Sequence, residues 1–303
     1  MEIVLGDLTL GIIDREKRYI FSYQTCGLES FVKDGREWLF RTPKPTFWRS
    51  TTCNDRGNGF SLSSSEWLGA DMFISAKEIF IELDGTHFDM KSVTAPNNTL
   101  LLDSEYRHSS SVKICYIYQT ATRPSADVAV TYKVEEGKMG VDFEYRGVKG
   151  LSELPVCGMR FVFPFLISSF DYIGLSGETY PDRKCGAKIG DYHIQGLPLT
   201  PYLVPQECGM HMDSKYLRIN YGRDELIVRK SREKGFNFSL LPYSAEELEN
   251  AYHQEELPPK RRTVLVIAAG VRGVGGINSW GAQPEEKYHL FSDNNYTFSV
   301  EIE

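Results

Sequence analysis

The chain lacks most of the short patterns that announce a chemistry. Its six cysteines, Cys26, Cys53, Cys115, Cys157, Cys185 and Cys208, are widely separated and form no C-x-x-C pair, which speaks against a zinc site and against a disulfide framework. The six histidines, His87, His108, His193, His211, His253 and His289, make no H-x-H or H-E-x-x-H pattern, so the common zinc motifs are absent. There is no Walker loop, no G-x-G-x-x-G fingerprint and no G-x-S-x-G elbow. The glycine-rich run 270–276 lacks the Lys-Ser/Thr that a phosphate cradle needs, and reads as a turn-rich loop after a strand. No apolar run approaches a bilayer span, and the opening residues MEIVLGDLTLGI carry two acids and no basic region, unlike a secretory leader. The expected location is therefore cytoplasmic. Positive charge is also short: the formal net charge is −7, which gives no general attraction to a phosphate backbone. The one basic cluster, Lys260, Arg261 and Arg262 beside Pro258 and Pro259, reads as a solvated approach to an apolar strand.

What the chain does have is alternation. With 303 residues, 41% hydrophobic and 25% charged, it can bury a large core as one β-sandwich or as two domains. Residues 128–134 and 139–146 alternate apolar and polar side chains around Glu135-Glu136-Gly137-Lys138, a hairpin signal. Residues 112–118 precede them as an apolar, β-branched and aromatic run. Further strands are expected at 9–13, 19–23, 30–32, 73–83, 101–108, 159–165, 216–221, 224–230, 235–241, 263–269 and 296–301. So many strands separated by turns predict packed antiparallel sheets, an all-β fold, and not βαβ units. One helix is expected where Ser244 precedes Ala245-Glu246-Glu247, a capping box, and it should end near Tyr252 or His253. Residues 54–69 read as a helix start or a long loop. Residues 174–209 run more than thirty positions with few strand signals, and a connection of that length is where a binding surface or partner contact is expected.

Two features of these loops bear on chemistry. Glu178, Asp182 and Glu207 lie in the long loop-rich span, and glycoside cleavage needs a pair of carboxylates. Most carboxylates are solvated or ion-paired, however, and an ion pair of Glu178 with Arg183 that pins the loop is the more economical account. The second feature is Ile277-Asn278-Ser279-Trp280-Gly281. A tryptophan between small residues has little to pack against; an exposed indole there would suit stacking on the C–H face of a sugar, with Asn278 and Ser279 as hydrogen-bonding neighbours.

From about residue 40 onward these segments resemble, in order, the carboxy-terminal β-domain of the large β-galactosidases of glycoside hydrolase family 2, and still more the small subunit of the two-chain enzymes. Phe47-Trp48-Arg49-Ser50-Thr51-Thr52-Cys53-Asn54-Asp55-Arg56-Gly57-Asn58-Gly59 is similar to the family's F-W-R-A-P-T-D-N-D-R-G-N-G. Glu178-Thr179-Tyr180-Pro181-Asp182-Arg183 matches E-x-Y-P-D-R, Pro205-Gln206-Glu207-Cys208-Gly209 matches P-Q-E-x-G, and Gly275-Gly276-Ile277-Asn278-Ser279-Trp280 matches G-G-x-x-S-W.

The resemblance implies a galactose-mutarotase-like supersandwich over residues 41–303, preceded by a short linking β segment over 1–40. It implies a non-autonomous subunit for hydrolysis of terminal β-D-galactosides such as lactose. The catalytic glutamates and the magnesium site would belong to a TIM-barrel large subunit, with no cofactor and no catalytic residue in this chain. Trp280, with Asn278 and Ser279, would contact the sugar. Glu178, Tyr180, Asp182, Arg183, Glu207, Arg49, Asn54 and Asp55 would shape the site or the interface, and an isolated subunit would be open to self-association. Two departures stand out. Thr51 replaces the family's proline, so that turn is expected to be looser or differently arranged. Cys53 replaces an aspartate and removes a charged acceptor, which points to a divergent preference or a degenerate subunit. Two other readings remain: a carbohydrate-binding module without turnover, whose mark would be an open groove near Trp280, and an aldose epimerase using histidine, with His193 and His211 flanking the loop-rich span.

Overall fold

In the computed structural model, which describes residues 1–6, 8–72, 74–89 and 108–303, the alternating segments are pleated strands whose apolar faces turn inward. In chain order they are β1 (Glu2–Leu5), β2 (Thr9–Asp14), β3 (Lys17–Ser22), β4 (Gly27–Lys33), β5 (Arg36–Glu37), β6 (Arg41–Thr46), β7 (Ser75–Leu83), β8 (Thr86–Asp89), β9 (Ser111–Gln119) and β10 (Asp127–Glu135). There follow β11 (Lys138–Tyr145), β12 (Val156–Phe163), β13 (Ser169–Leu175), β14 (Ile189–Gln195), β15 (Met210–Ser214), β16 (Tyr216–Tyr221), β17 (Asp224–Lys230), β18 (Phe236–Leu241), β19 (Thr263–Val271) and β20 (Tyr296–Ile302). Short helices α1 (Cys53–Gly57), α2 (Phe60–Ser63) and α3 (Ala245–Glu249) lie in the connections.

Three antiparallel sheets result: β1-β2-β3-β4-β5, a ten-stranded sheet β14-β13-β16-β17-β20-β11-β10-β9-β7-β8, and β15-β18-β19-β12-β6. The expected hairpin is present, with Val128 opposite Tyr145 and Glu135 opposite Lys138. Its central residues Glu136 and Gly137 both have positive φ, as a tight turn that matches strand twist requires. The last strand, β20, fits between β11 and β17, so the chain end closes the middle of the largest sheet.

The sheets share one core. Phe21 of β3 meets Tyr132 of β10 at 5.3 Å, and Tyr116 and Tyr118 of β9 donate to the carbonyls of Ser22 and Cys26 at 3.1 and 2.7 Å. Trp38, just past β5, packs edge-on against Phe163 of β12 at 5.8 Å. Across the sandwich, Phe170 and Tyr172 of β13 meet Phe238 of β18 at 6.1 and 5.7 Å. His211 of β15 is caged among these rings, and burial pushes its pKa down to about 4. His193 instead lies exposed on β14, 2.7 Å from Asp171. Of the two histidines that flank the loop-rich span, His211 is therefore in the core and His193, with its carboxylate Asp171, on the surface.

Several strands differ from expectation for physical reasons. β6 reads Arg-Thr-Pro-Lys-Pro-Thr and carries Pro43 and Pro45, which only an edge position tolerates; β6 is at an edge. β14 lies inside the span expected to be nearly strandless; it too is an edge strand, and its short apolar face, Tyr192 and Ile194, is only half-buried against the core, which makes a weak signal in sequence. The strand expected at 101–108 lies outside the described residues except for His108, which bridges to Glu2. α3 has the expected capping box but stops at Glu249, because the Asn250 side chain folds back onto the Glu246 carbonyl at 2.8 Å. All six cysteines are free, and among the described residues no helix is long and apolar enough to cross a membrane.

Because the first sheet and the rest bury a common core, Phe21→Ala should lower the stability of the whole chain by about 3–5 kcal/mol in a single unfolding transition. Denaturant unfolding followed by both tryptophan fluorescence and circular dichroism checks this; two separated transitions would contradict it.

Candidate functional site

The candidate loops rest on a buried charge cluster built from three distant segments. Thr52 and Asp55 cap α1 reciprocally: the Thr52 hydroxyl accepts from Asp55 N at 3.0 Å and Asp55 Oδ2 accepts from Thr52 N at 3.0 Å. The same carboxylate, 1% exposed, accepts from Arg49 Nη2 at 3.2 Å through both oxygens and from Arg272 Nη1 at 3.3 Å. Arg272 is fully buried, with its guanidinium carbon 3.7 Å from the centre of the Phe60 ring. Its other nitrogens donate to Glu153 at 2.8 Å and Gln283 at 2.6 Å. Burial pulls the Arg272 pKa down, while Glu153 and Asp55 pull it up. Arg49 also donates to the carbonyls of Arg272 and Gly273 at 3.2 and 3.1 Å, so it grips the start of the 273–281 loop by its backbone.

From that anchor the loop is fastened link by link. Asp182 accepts from Val274 N at 2.9 Å and from Gly275 N at 2.8 Å, one amide per oxygen. Arg183 donates to the Gly275 carbonyl, and Asn54 Nδ2 to the Val274 carbonyl at 3.0 Å. Gly276 has φ +77° and a Cβ there would stand 2.8 Å from Asn54 Nδ2, so both conformation and space call for glycine. Beyond it, Asn278 Oδ1 accepts from Trp280 N at 2.9 Å and Ala282 N at 3.3 Å, closing the loop on itself. At its tip Trp280 is 91% exposed.

The E-x-Y-P-D-R and P-Q-E-x-G segments meet beside this cluster. Thr179 is buried and tied to β15, donating its N–H to the Met210 carbonyl at 2.7 Å and accepting from Met212 N at 2.8 Å. Tyr180 packs among Val156, Met210 and Met212, and its hydroxyl donates to Glu207 at 3.3 Å. Burial pushes the Glu207 carboxyl from an ordinary value near 4.5 up to about 7, against the opposing pull of Arg49. Gln206 accepts from Cys53 N at 2.7 Å, joining this segment to α1.

The comparisons with known proteins can be set on this geometry. The family model described as β-galactosidase small chain matches residues 14–302. The chain belongs to that family. It is 46% identical to the β-galactosidase small subunit of Latilactobacillus sakei, across 100% of this chain and 97% of the relative. It is 28% identical to the β-galactosidase of Streptococcus thermophilus, across 100% of this chain but only 28% of the relative, so it spans about a quarter of that longer protein. Among solved structures, a galactose mutarotase-like protein from Lactobacillus casei covers 97% of this chain at 11% identity, with a TM-score of 0.46.

Set against the small-chain pattern, the residues divide clearly. Arg49, Asn54, Asp55, Asp182 and Arg183 come together around the 273–281 loop, while Tyr180 and Glu207 form a neighbouring buried pair. The expected ion pair of Glu178 with Arg183 does not form: Glu178 accepts from Thr200 at 2.9 Å, and Arg183 is drawn instead to the Gly275 carbonyl. The carboxylates singled out in sequence thus hold protein groups, a positioning role. Among the described residues no group of three or more His, Cys, Asp or Glu side chains could hold a metal ion.

The proline departure has a structural answer. Thr51 is buried, and its N–H and hydroxyl each donate to Glu249 of α3 at 2.6 Å. A proline has no N–H to give, so this turn is held by a bond its relatives' residue cannot make. Cys53, the other departure, is an exposed free thiol at the first position of α1. Arg272, Glu153, Gln283 and Glu249 were not singled out in sequence; Arg272 follows directly on a strand and looks like an ordinary loop cation until its burial is seen.

Two tests follow from these contacts. Asp55→Asn leaves Arg49 and Arg272 buried with no carboxylate between them and weakens the cap of α1, and should cost on the order of 3–5 kcal/mol by denaturant titration; a loss under about 1 kcal/mol would show that the cluster is not what holds this region. For Glu207, the folded state binds the proton more tightly than the unfolded chain does. Its contribution to stability therefore falls as pH rises from about 4.5 to about 7 and stays at its lowest above that. Glu207→Gln should gain stability relative to the parent between pH 4.5 and 8, by on the order of 3 kcal/mol. Unfolding at both pH values reads this directly, and an equal difference at the two would refute it.

Proposed function

We propose that this chain is the small subunit of a two-chain β-galactosidase, non-autonomous in catalysis, which completes the galactoside site of a TIM-barrel large subunit. The observation that carries this reading is the state of Trp280. The loop beneath it is pinned by Asp182, Arg183, Asn54 and Arg49, yet the indole itself is 91% exposed. A large apolar side chain held out on a braced loop fits a surface completed by a second chain. Ile277 on the same loop, Leu62 on α2 and Leu203 in the 174–209 span are exposed as well. In this proposal the partner chain supplies the acid/base and nucleophilic glutamates and the magnesium, and Trp280 offers a stacking platform for the sugar with Asn278 and Ser279 beside it. The site of action is the cytoplasm, and the substrate a terminal β-D-galactoside of the lactose type.

A stand-alone carbohydrate-binding module would call for a groove at Trp280. One cavity of about 550 Å³ lies elsewhere in the molecule and draws no lining residue from 277–281.

The test is hydrolysis of a chromogenic β-galactoside by this chain, by a purified large subunit of the family, and by the two mixed. Activity is expected in the mixture alone. Trp280→Ala should reduce kcat/KM by at least about tenfold while leaving the stability of the isolated chain unchanged. A mixture no more active than the large subunit by itself would overturn the proposal.

A further inference from the structure

The outer face of the β15-β18-β19-β12-β6 sheet carries a cavity of about 550 Å³, bordered by α3 and by the approach to β19. Its floor is polar and built. Arg160 of β12 reaches Asp71 at 2.9 Å and Glu246 of α3 at 2.8 Å. Asp71 is only 4% exposed, and its Oδ2, although close to Arg160, has no aligned hydrogen-bond donor. A carboxylate that deeply placed is costly unless it is paired, and Arg160 supplies the charge partner at the edge of the cavity. The walls add apolar surface from Val162, Val264 and the exposed Met72.

The mouth has the opposite character. Arg41, Arg261 and Arg262 line it, and among the described residues none has a carboxylate partner. Arg262 is stacked 3.6 Å over the Phe40 ring and Arg41 lies 5.6 Å from the same ring, so their guanidinium groups are held without their charge being neutralised. The glutamates nearby are committed: Glu246 to Arg160, and Glu247 to the Ser244 amide at 2.8 Å as part of the α3 cap. Lys44 is committed too, to the carbonyls of Thr25 and Cys26. Three arginines without a carboxylate partner therefore line one cavity, in a chain whose net charge is −7.

We propose that this cavity binds a phosphorylated monosaccharide, with the phosphate on Arg41, Arg261 and Arg262 and the sugar hydroxyls on Asp71, Arg160 and Glu246. Guanidinium forks match phosphate oxygens in geometry, and three of them suit a dianion. A carboxylate accepts from a sugar hydroxyl while the arginine beside it donates to the next, a pattern a bare anion would not use. The volume is in the range of small-ligand pockets. This site is separate from Trp280 and needs no large subunit, so it stands or falls independently of the galactosidase reading.

The experiment is calorimetric titration of the full chain, at low salt, with glucose 6-phosphate, galactose 6-phosphate and glucose 1-phosphate, against inorganic phosphate and glucose alone. At least one sugar phosphate should bind at least about tenfold more tightly than inorganic phosphate or glucose, and its affinity should fall as salt is raised. Arg261→Glu and Arg41→Gln, both at exposed positions, should each weaken it by about tenfold or more while the circular dichroism spectrum stays unchanged. The proposal is wrong if no sugar phosphate saturates the chain, if inorganic phosphate or glucose binds equally well, or if both variants bind like the parent.

Discussion

One buried carboxylate organises the working end of this protein. Asp55 is at once the cap of α1, the partner of Arg49 and the partner of Arg272, and those two cations arrive from residues more than two hundred positions apart. Charges of both signs taken out of water are tolerated only when they are paired and hydrogen-bonded, and here Glu153, Gln283 and the Gly273 carbonyl add partners, while Arg49 Nε is left without one. The cluster is held in one arrangement because any displacement would leave a buried group unpaired. That is why the loop beyond it can be long, rich in glycine and still fixed in place.

Rigidity at the base and exposure at the tip belong together. A tryptophan proposed to meet a sugar at a chain boundary cannot be tucked into its own core, yet it needs a defined position to be useful. The structure separates the two demands: polar fastenings end at Gly275 and Asn278, and Trp280 projects past them. The Thr51 departure fits the same logic. This chain restrains the turn before α1 through two hydrogen bonds to Glu249, which couples that turn to α3. Since α3 also supplies Glu246 to the Arg160 cavity, one short helix touches both the Trp280 support and the second proposed site.

The clearest expectations from sequence were those set by local chemistry. The 128–146 hairpin needed only alternation and a Glu-Gly turn, and the start of α3 needed only Ser244 with Glu247 three residues on. Elements whose stability comes from neighbours were hidden. β6, with its two prolines, is a strand because β12 lies beside it, and β14 shows only a weak apolar face because Tyr192 and Ile194 are half-buried at a sheet edge. The contacts of Glu178 and Arg183 could not be read from their closeness in sequence, since Gly275, ninety-two positions after Arg183, offered a better acceptor.

By itself the sequence determined that the chain is built of antiparallel sheets, because period-two alternation marks strands with one buried face and short turns between them join antiparallel neighbours, and its ordered motifs determined the family. Only the tertiary structure decided which charges are buried together, and hence that Arg272 is part of the support and that Arg261 and Arg262 border a cavity and are not merely solvated. Burial, pairing and pKa are properties of surroundings, and a linear sequence names the groups without saying what will surround them.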